Sequence, residues 1–513
     1  MTVASSSSES SIHSHSELVA TNEQLVKQIT RLEQEKELYR LRYEELRRKL
    51  FGRSSEQRHV IDPGQELLFE EKVPESSASA ADSTEVSSYE RKKRSKKEFP
   101  AELPVDEIIY EPTETHCGEC GEELREFSRD IREEIEHHPA KFFRRQHVTV
   151  HCSCPKCKKT VSGEVPLENQ PVLPGAQVGV SFLSHVMVSK CCDHIPYYRQ
   201  SQMYEREGVF FPDKTLSLYG LRVGELLQPV ARHLKQAALS LSYIQADETR
   251  LRVLDHEKEE NAHTGQLWVM RSPLRENPIV LYEYHQGRGK EDAKNFLGNF
   301  QGALQTDALA SYDEFTGVRL GCMSHARRKF IEAKNISKKE SSHVLRLIGQ
   351  LYKIEADLKK EYPKKPKEKK VIEWLKKREK IRKEKSVPIL NAIHEYLSAL
   401  KPKCLLENHP LTKAVNYMLN RFEQFLVYTT DGIYEIDNNS VEQAVRPVAI
   451  GRKNWMFAGS HRGAEMTAVM MTVIQTCKLR GINPHHYLTN VLPKLASQKT
   501  TSLDGLTPLD WKE

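Results

Sequence analysis

At 513 residues, with 38% hydrophobic and 29% charged residues and a mean hydropathy of -0.61, the chain can form several domains with real cores, yet it is too polar to be core throughout. That composition excludes a membrane-embedded protein and assigns part of the length to solvated helix or linker. The net charge of +6 is too small to mark a polyanion-binding protein in bulk, so any such role rests on where the charge lies.

Residues 1–16 lack an apolar core and read as a disordered N-terminus without a signal peptide. The longest apolar stretch, around 178–188, is too short to span a bilayer, so a cytoplasmic protein is expected. Residues 17–57 are helix-forming, with Leu25, Ile29, Leu32, Leu38, Leu41 and Leu46 at three- and four-residue steps. The favoured reading is a short coiled coil that makes a homo-oligomer; the alternative is one amphipathic helix packed on its own domain. Residues 58–104 form a linker, rich in Ser, Ala, Glu and Lys, whose basic tail RKKRSKK can touch nucleic acid.

Ten cysteines in an intracellular chain argue against a disulfide framework. In residues 105–165, Cys117 and Cys120 form one C-x-x-C pair and Cys154 and Cys157 another. Two such knuckles can hold a structural zinc ion through four thiolates. Gly121 permits the tight turn behind Cys120. Cys152 in place of Cys154, His116 or His151 as a substitute ligand, and a redox dithiol are the alternatives. Cys191, Cys192, Cys322, Cys404 and Cys477 are isolated and read as small buried apolar residues. Residues 166–240 read as helix, turn at 208–213 and longer helix, equally compatible with a helix-turn-helix DNA reader and with a helical connector.

From residue 241 to 335 the pattern is strand 241–247, strand 266–272, strand 279–285, helix 291–300, strand 303–307, a short helix 312–315 and strand 318–323. Asp247 and Asp307 close the first and fourth of these strands. Each could merely start a turn. A helical insertion is expected over 336–428, because the stretch from 307 to 442 is far longer than a strand, a helix and a loop require. Within it, residues 359–385 carry 14 Lys or Arg against 5 Asp or Glu, a run that could follow a phosphate backbone or form a solvated helical face. In residues 429–480 a helix carries Glu442, which could pair with Asn439 in a capping box. Taken together, three acids from separate elements offer hard oxygen ligands for two Mg²⁺ or Mn²⁺ ions, the arrangement that activates an attacking oxygen and stabilises a leaving oxygen on phosphorus.

Basic residues surround these acids. Arg446 shares the face of Glu442 if the helix holds to Pro447, while Arg452 and Lys453 are expected on a loop past the break that Pro447 imposes. His325, Arg327, Arg328 and Lys329 follow a strand and could contact a phosphate backbone or be ordinary surface charge. Residues 481–513 form a C-terminal segment.

Several stretches resemble the DDE transposases of the insertion sequence 66 family: FGRSSEQ from Phe51, ADET with Asp247, TGQLWV from Thr264, LQTD with Asp307, CMSHARRKF from Cys322, DNNSVEQAVRPVAIGRKNWMFAGS from Asp437 and GINPHHYL from Gly481. The resemblance covers nearly the whole chain. It implies an α/β ribonuclease H-like catalytic core with a helical insertion, plus an N-terminal coiled coil and a small zinc-binding domain. It also implies that Asp247, Asp307 and Glu442 are the catalytic magnesium ligands, with Arg446 and Lys453 beside them. The expected activity is cleavage of DNA at the element's terminal inverted repeats followed by strand transfer into target DNA, with accessory proteins of the same element as further partners. The alternatives are a zinc-containing DNA-binding regulator and a structure-specific nuclease that cuts without joining.

Overall fold

The structure is a computed structural model that describes residues 169–497 with short gaps at 256–261, 274–277, 364–367 and 405, residues 502–512, and scattered positions before 169. The chain divides into two compact units, Met1–Gly52 with Lys141–Glu513, and Arg53–Ala140; only the first contains described residues. Two short strands, β1 (His151–Ser153) and β2 (Thr160–Ser162), pair antiparallel. Helices α1 (Val180–Cys191), α2 (Tyr197–Arg206) and α3 (Asp213–Leu239) follow. Gly208 turns the chain between α2 and α3 at φ 85, a conformation that costs glycine little.

A five-stranded sheet comes next: β3 (Tyr243–Leu254), β4 (Ala262–Arg271), β5 (Val280–His285), β6 (Ala303–Gln305) and β7 (Val318–Leu320), in the spatial order β5-β4-β3-β6-β7. Strand β4 runs antiparallel to both β3 and β5, and β6 and β7 run parallel to β3. Helix α4 (Lys290–Leu297) makes the crossover between β5 and β6, as a parallel connection requires. The sheet is longer than the sequence pattern predicts: β3 runs seven residues past Asp247, so that acid lies within the strand rather than at its end.

Helix α5 (Met323–Lys334) leads into the insertion, built from α6 (Lys338–Lys360), α7 (Glu368–Ile381), a π-helical turn at Arg382–Ser386, α8 (Val387–Leu400), α9 (Pro410–Leu419) and α10 (Phe422–Leu426). Three helices close the fold: α11 (Asn439–Trp455), α12 (His461–Leu479) and α13 (Pro484–Ala496). The GINPHHYL stretch is the start of α13, where Asn483 accepts the backbone N–H groups of His485 and His486, and Pro484 fills the first helical position.

Two apolar cores lie on the sheet. Alternation along β3 sends Ile244 and Ala246 into one, with α1, α3, α12 and α13, and Tyr243 into the other, with Ala303, Leu320, α5 and the insertion. The edge strand β5 is not left open. Thr472 and Thr476 of α12 accept its outward N–H groups at Tyr282 (2.8 Å) and Val280 (3.3 Å). Helix α3 buries Leu216, Val223, Leu227, Val230 and Leu234 in the first core beside α12.

Candidate active site

The parallel register of β3 and β6 pairs Gln245 with Gln305. Residues two apart on a strand share a face, so Asp247 and Asp307, each two positions further on, come up side by side. Backbone N–H groups steady one oxygen of each: Glu248 donates to Asp247 at 2.8 Å and Leu309 to Asp307 at 2.9 Å. Glu442 arrives from the first turn of α11, which packs on β3 and β4.

Below the acids, the two glutamines tie the sheet to the segment that leads into α11. Gln245 donates to Gln305 Oε1 (2.7 Å) and to the carbonyl of Asp437 (2.9 Å), and its own Oε1 accepts the N–H of Val441 (3.3 Å). Gln305 donates to the carbonyls of Glu435 (2.9 Å) and Gly321 (3.1 Å). Arg271 of β4 donates to the carbonyl of Ser440 at 2.5 Å. The residues flanking Glu442 are thus bonded directly to the strands that carry the other two acids.

The site is strongly electronegative. Burial, the neighbouring Glu248 and then the charges of Asp307 and Glu442 push the Asp247 carboxyl up to about 8. Burial and Asp307 also raise Glu248, whose side chain Arg288 holds from the far side with its Nε at 2.9 Å. Glu248 Oε2 is buried without a hydrogen-bond partner. On the other flank, Arg328 Nη2 lies 2.5 Å and His325 Nδ1 3.6 Å from Glu442 Oε1. Burial, then Arg328, lowers the pKa of His325, with the Glu442 and Asp307 charges working the other way.

The donor set fits hard divalent cations. Three carboxylates from three elements lie near enough for Asp307 and Glu442 both to act on the charge of Asp247, whose upward shift comes first from burial. Among the described residues, the three ligand groups whose atoms come within 4.8 Å of one another are Cys322, His325 and Glu442, with Asp247 and Asp307 outside that cluster. The Cys322 thiol, raised by burial and Asp437, accepts the N–H of Asn438 at 3.4 Å. Cys322 is therefore buried, as expected, but belongs to the site's support rather than being isolated.

Several sequence-level placements change. Helix α11 begins with Asn438 as its N-cap, and no side-chain cap bond forms there. Asn439 N donates instead to Asp437 at 3.1 Å, so the capping box with Glu442 is not what the structure contains. The helix also runs straight through Pro447, which puts Arg452 and Lys453 in its last turn and not on a loop. Arg452 is bonded to Thr249 Oγ1 (2.7 Å) and the Arg250 carbonyl (3.0 Å), a clasp on β3. Arg446 and Lys453 are exposed along the helix. His325, Arg327, Arg328 and Lys329 lie on α5; Arg327 is half-buried, and Lys329 sits over the Tyr417 ring at 4.9 Å. The zinc candidates Cys117, Cys120, Cys154 and Cys157 lie outside the described residues, as does most of 17–57.

Gln245, Gln305, Glu248 and Arg288 also belong to the site, though none carries an obvious signal by itself. A signal for the first two was available: Gln-x-Asp occurs both at 245–247 and at 305–307, and the repeat marks the two strands that pair in register.

With this geometry in place, similarity to known proteins becomes interpretable. The family described as "Transposase IS66 family" matches residues 175–466. "Transposase C of IS166 homeodomain" matches 38–108, "zinc-finger binding domain of transposase IS66" matches 114–158 and "IS66 C-terminal element" matches 472–509. An uncharacterized protein of Sinorhizobium fredii, y4hP, is 30% identical over 498 residues, covering 92% of this chain and 88% of its own. A second from the same organism, y4jD, is 28% identical over 432 residues, 81% of each chain.

Proposed function

The chain belongs to the IS66 transposase family, and on that premise we propose that Asp247, Asp307 and Glu442 form one divalent-cation site that cuts DNA at the ends of an insertion sequence and joins it to target DNA. The observation that carries this reading is the placement of the three acids on β3, just past β6 and in the first turn of α11, with the Asp247 carboxyl pushed up to about 8 by burial and then by the charges of Glu248, Asp307 and Glu442. The order β5-β4-β3-β6-β7, with three antiparallel and two parallel strands, supports a ribonuclease H-like core.

Mg²⁺ or Mn²⁺ held by these acids would supply polarisation of the attacking oxygen and stabilisation of the leaving oxygen. The chain's own residues do the rest. Arg328 and His325 stand beside Glu442, where they can hold phosphate oxygens, and exposed Arg446 and Lys453 continue the positive line along α11. In the first step a water oxygen bonds to phosphorus as the bond to the 3′ oxygen breaks, leaving a 3′-hydroxyl on the element. In the second, that hydroxyl bonds to a target phosphorus and displaces the target's own 3′ oxygen. No covalent protein intermediate is needed. The zinc-finger region at 114–158 binds structural zinc through Cys117, Cys120, Cys154 and Cys157 and recognises the ends. The 17–57 helix pairs two protomers, and the protein works in the cytoplasm.

The test is incubation of purified protein, Mg²⁺ and DNA carrying the element's terminal repeats. Nicked and joined products that disappear in Glu442→Gln are expected. Cutting without joining would make the protein a nuclease, and end binding without cutting would make it a regulator.

A further inference from the structure

The insertion carries buried charge where a helical spacer would need none. Glu355 of α6 accepts both arginines of the basic run: Arg378 Nη2 at 2.9 Å, and Arg382 at 2.8 Å through Nε and again through Nη2. Arg382 is 0% exposed, Arg378 6% and Glu355 8%. Burying three ionised groups is costly unless they are fully bonded, and beyond Glu355 the two guanidiniums reach a single segment. Arg378 is bidentate to Glu435 (3.1 and 2.9 Å) and donates to the Gly432 carbonyl at 3.0 Å. Arg382 donates to the carbonyls of Tyr428 (2.9 Å) and Asp431 (3.1 Å). All four partners lie on the segment that leads from the insertion into α11.

The same segment meets the insertion at two more points. Tyr352 of α6 donates its hydroxyl to Asp437 Oδ2 at 2.9 Å, and Asp437 in turn accepts Asn439 Nδ2 at 2.9 Å and its N–H at 3.1 Å. Gly432 is pressed against α7 so closely that an added Cβ would collide with the Leu375 carbonyl. The other side of the segment is bonded to Gln245 and Gln305.

We infer that the helical insertion is the positioning element for Glu442: Tyr352, Arg378 and Glu355 press residues 428–441 onto the strands that carry Asp247 and Asp307, and so set where the third carboxylate stands. This deepens the divalent-cation reading and rests on it. None of the three residues touches the acids; each acts through the backbone that Glu442 grows from. Outer partners of this kind move metal affinity by about 10- to 100-fold when removed.

The experiment measures Mn²⁺ binding to the full-length protein, by electron paramagnetic resonance of free Mn²⁺ and by calorimetric titration well below the melting temperature. Wild type, Glu442→Gln, Tyr352→Phe and Arg378→Lys are compared. Glu442→Gln is expected to lose affinity, and Tyr352→Phe and Arg378→Lys to lose about tenfold. Tyr352→Phe keeps the ring and removes one hydroxyl, so it carries the test if Arg378→Lys fails to fold. A merely structural insertion would lower the melting temperature and leave the Mn²⁺ midpoint in place. Wild-type Mn²⁺ binding in Tyr352→Phe, with weakened binding in Glu442→Gln, would overturn the inference alone. Unchanged binding in Glu442→Gln would overturn the metal-site reading and the inference with it.

Discussion

Asp247 ties the protein's stability to pH. Its carboxyl releases a proton near 3.8 in an ordinary setting but only near about 8 in the fold. Between those values the folded protein holds a proton that the unfolded chain has lost, so this residue's contribution to stability is complete below the lower value and falls away as pH rises through the upper one. The metal-free protein is therefore expected to melt progressively lower between about pH 5 and pH 8. Asp247→Asn should flatten that decline and raise the melting temperature at pH 8 by several degrees, as read by scanning calorimetry without added divalent cation. A decline that persists unchanged in the variant would show that other groups cause it. The sequence singles out the acids themselves, because each stands in a distinctive short stretch. It does not single out their supports. Gln245 and Gln305 matter through a parallel register that joins positions 60 apart, and Glu248 reads as one more polar residue until Arg288 is seen to reach it from 40 positions away.

Whole elements were legible in kind, less so in extent. The helices of the insertion follow from their apolar spacing, and the five core strands stand where the pattern put them in chain order, while their spatial order is a property of the fold. Helix α11 broke the local rule: proline in a helix interior costs about 3 kcal/mol, enough to end most helices. Here Val441, Ala444, Val448 and Gly451 are buried along one face on both sides of Pro447, and Arg452 bonds to β3, so tertiary packing carries the helix through. The basic run at 359–385 was misread in part for the opposite reason. Composition shows charge but not direction, and Arg378 and Arg382 turn inward to Glu355. Burial works to raise the Glu355 carboxyl, and its two arginines outweigh that and hold it low. Removing such a partner strands buried positive charge. Glu355→Ala is expected to destabilise the protein by about 3–5 kcal/mol, measured by denaturant unfolding; a loss below about 1 kcal/mol, the scale of a surface pair, would show that the cluster is already solvated. Gly432→Ala should fail for a different cause, the contact of its Cβ with the Leu375 carbonyl, and a wild-type unfolding midpoint in that variant would refute the close packing.

At the scale of the molecule, two cores share one sheet, and the candidate site lies where the segment between them joins α11. A fragment from residue 169 to the C-terminus contains both cores. It is expected to fold cooperatively and to keep Mn²⁺ binding, while losing specific binding to the element's ends, which the account assigns to the zinc-finger region at 114–158. Circular dichroism and gel shift would check this, and specific end binding by the fragment would move recognition into the core. Among the described residues no helix is long and apolar enough to cross a membrane. The most direct test of the central claim is anomalous diffraction from crystals of the protein soaked in Mn²⁺. Anomalous peaks bounded by Asp247, Asp307 and Glu442, with Arg328 drawn off Glu442, are the predicted result. Mn²⁺ bound without Glu442, which stays paired with Arg328, would contradict the claim that the three acids are one site.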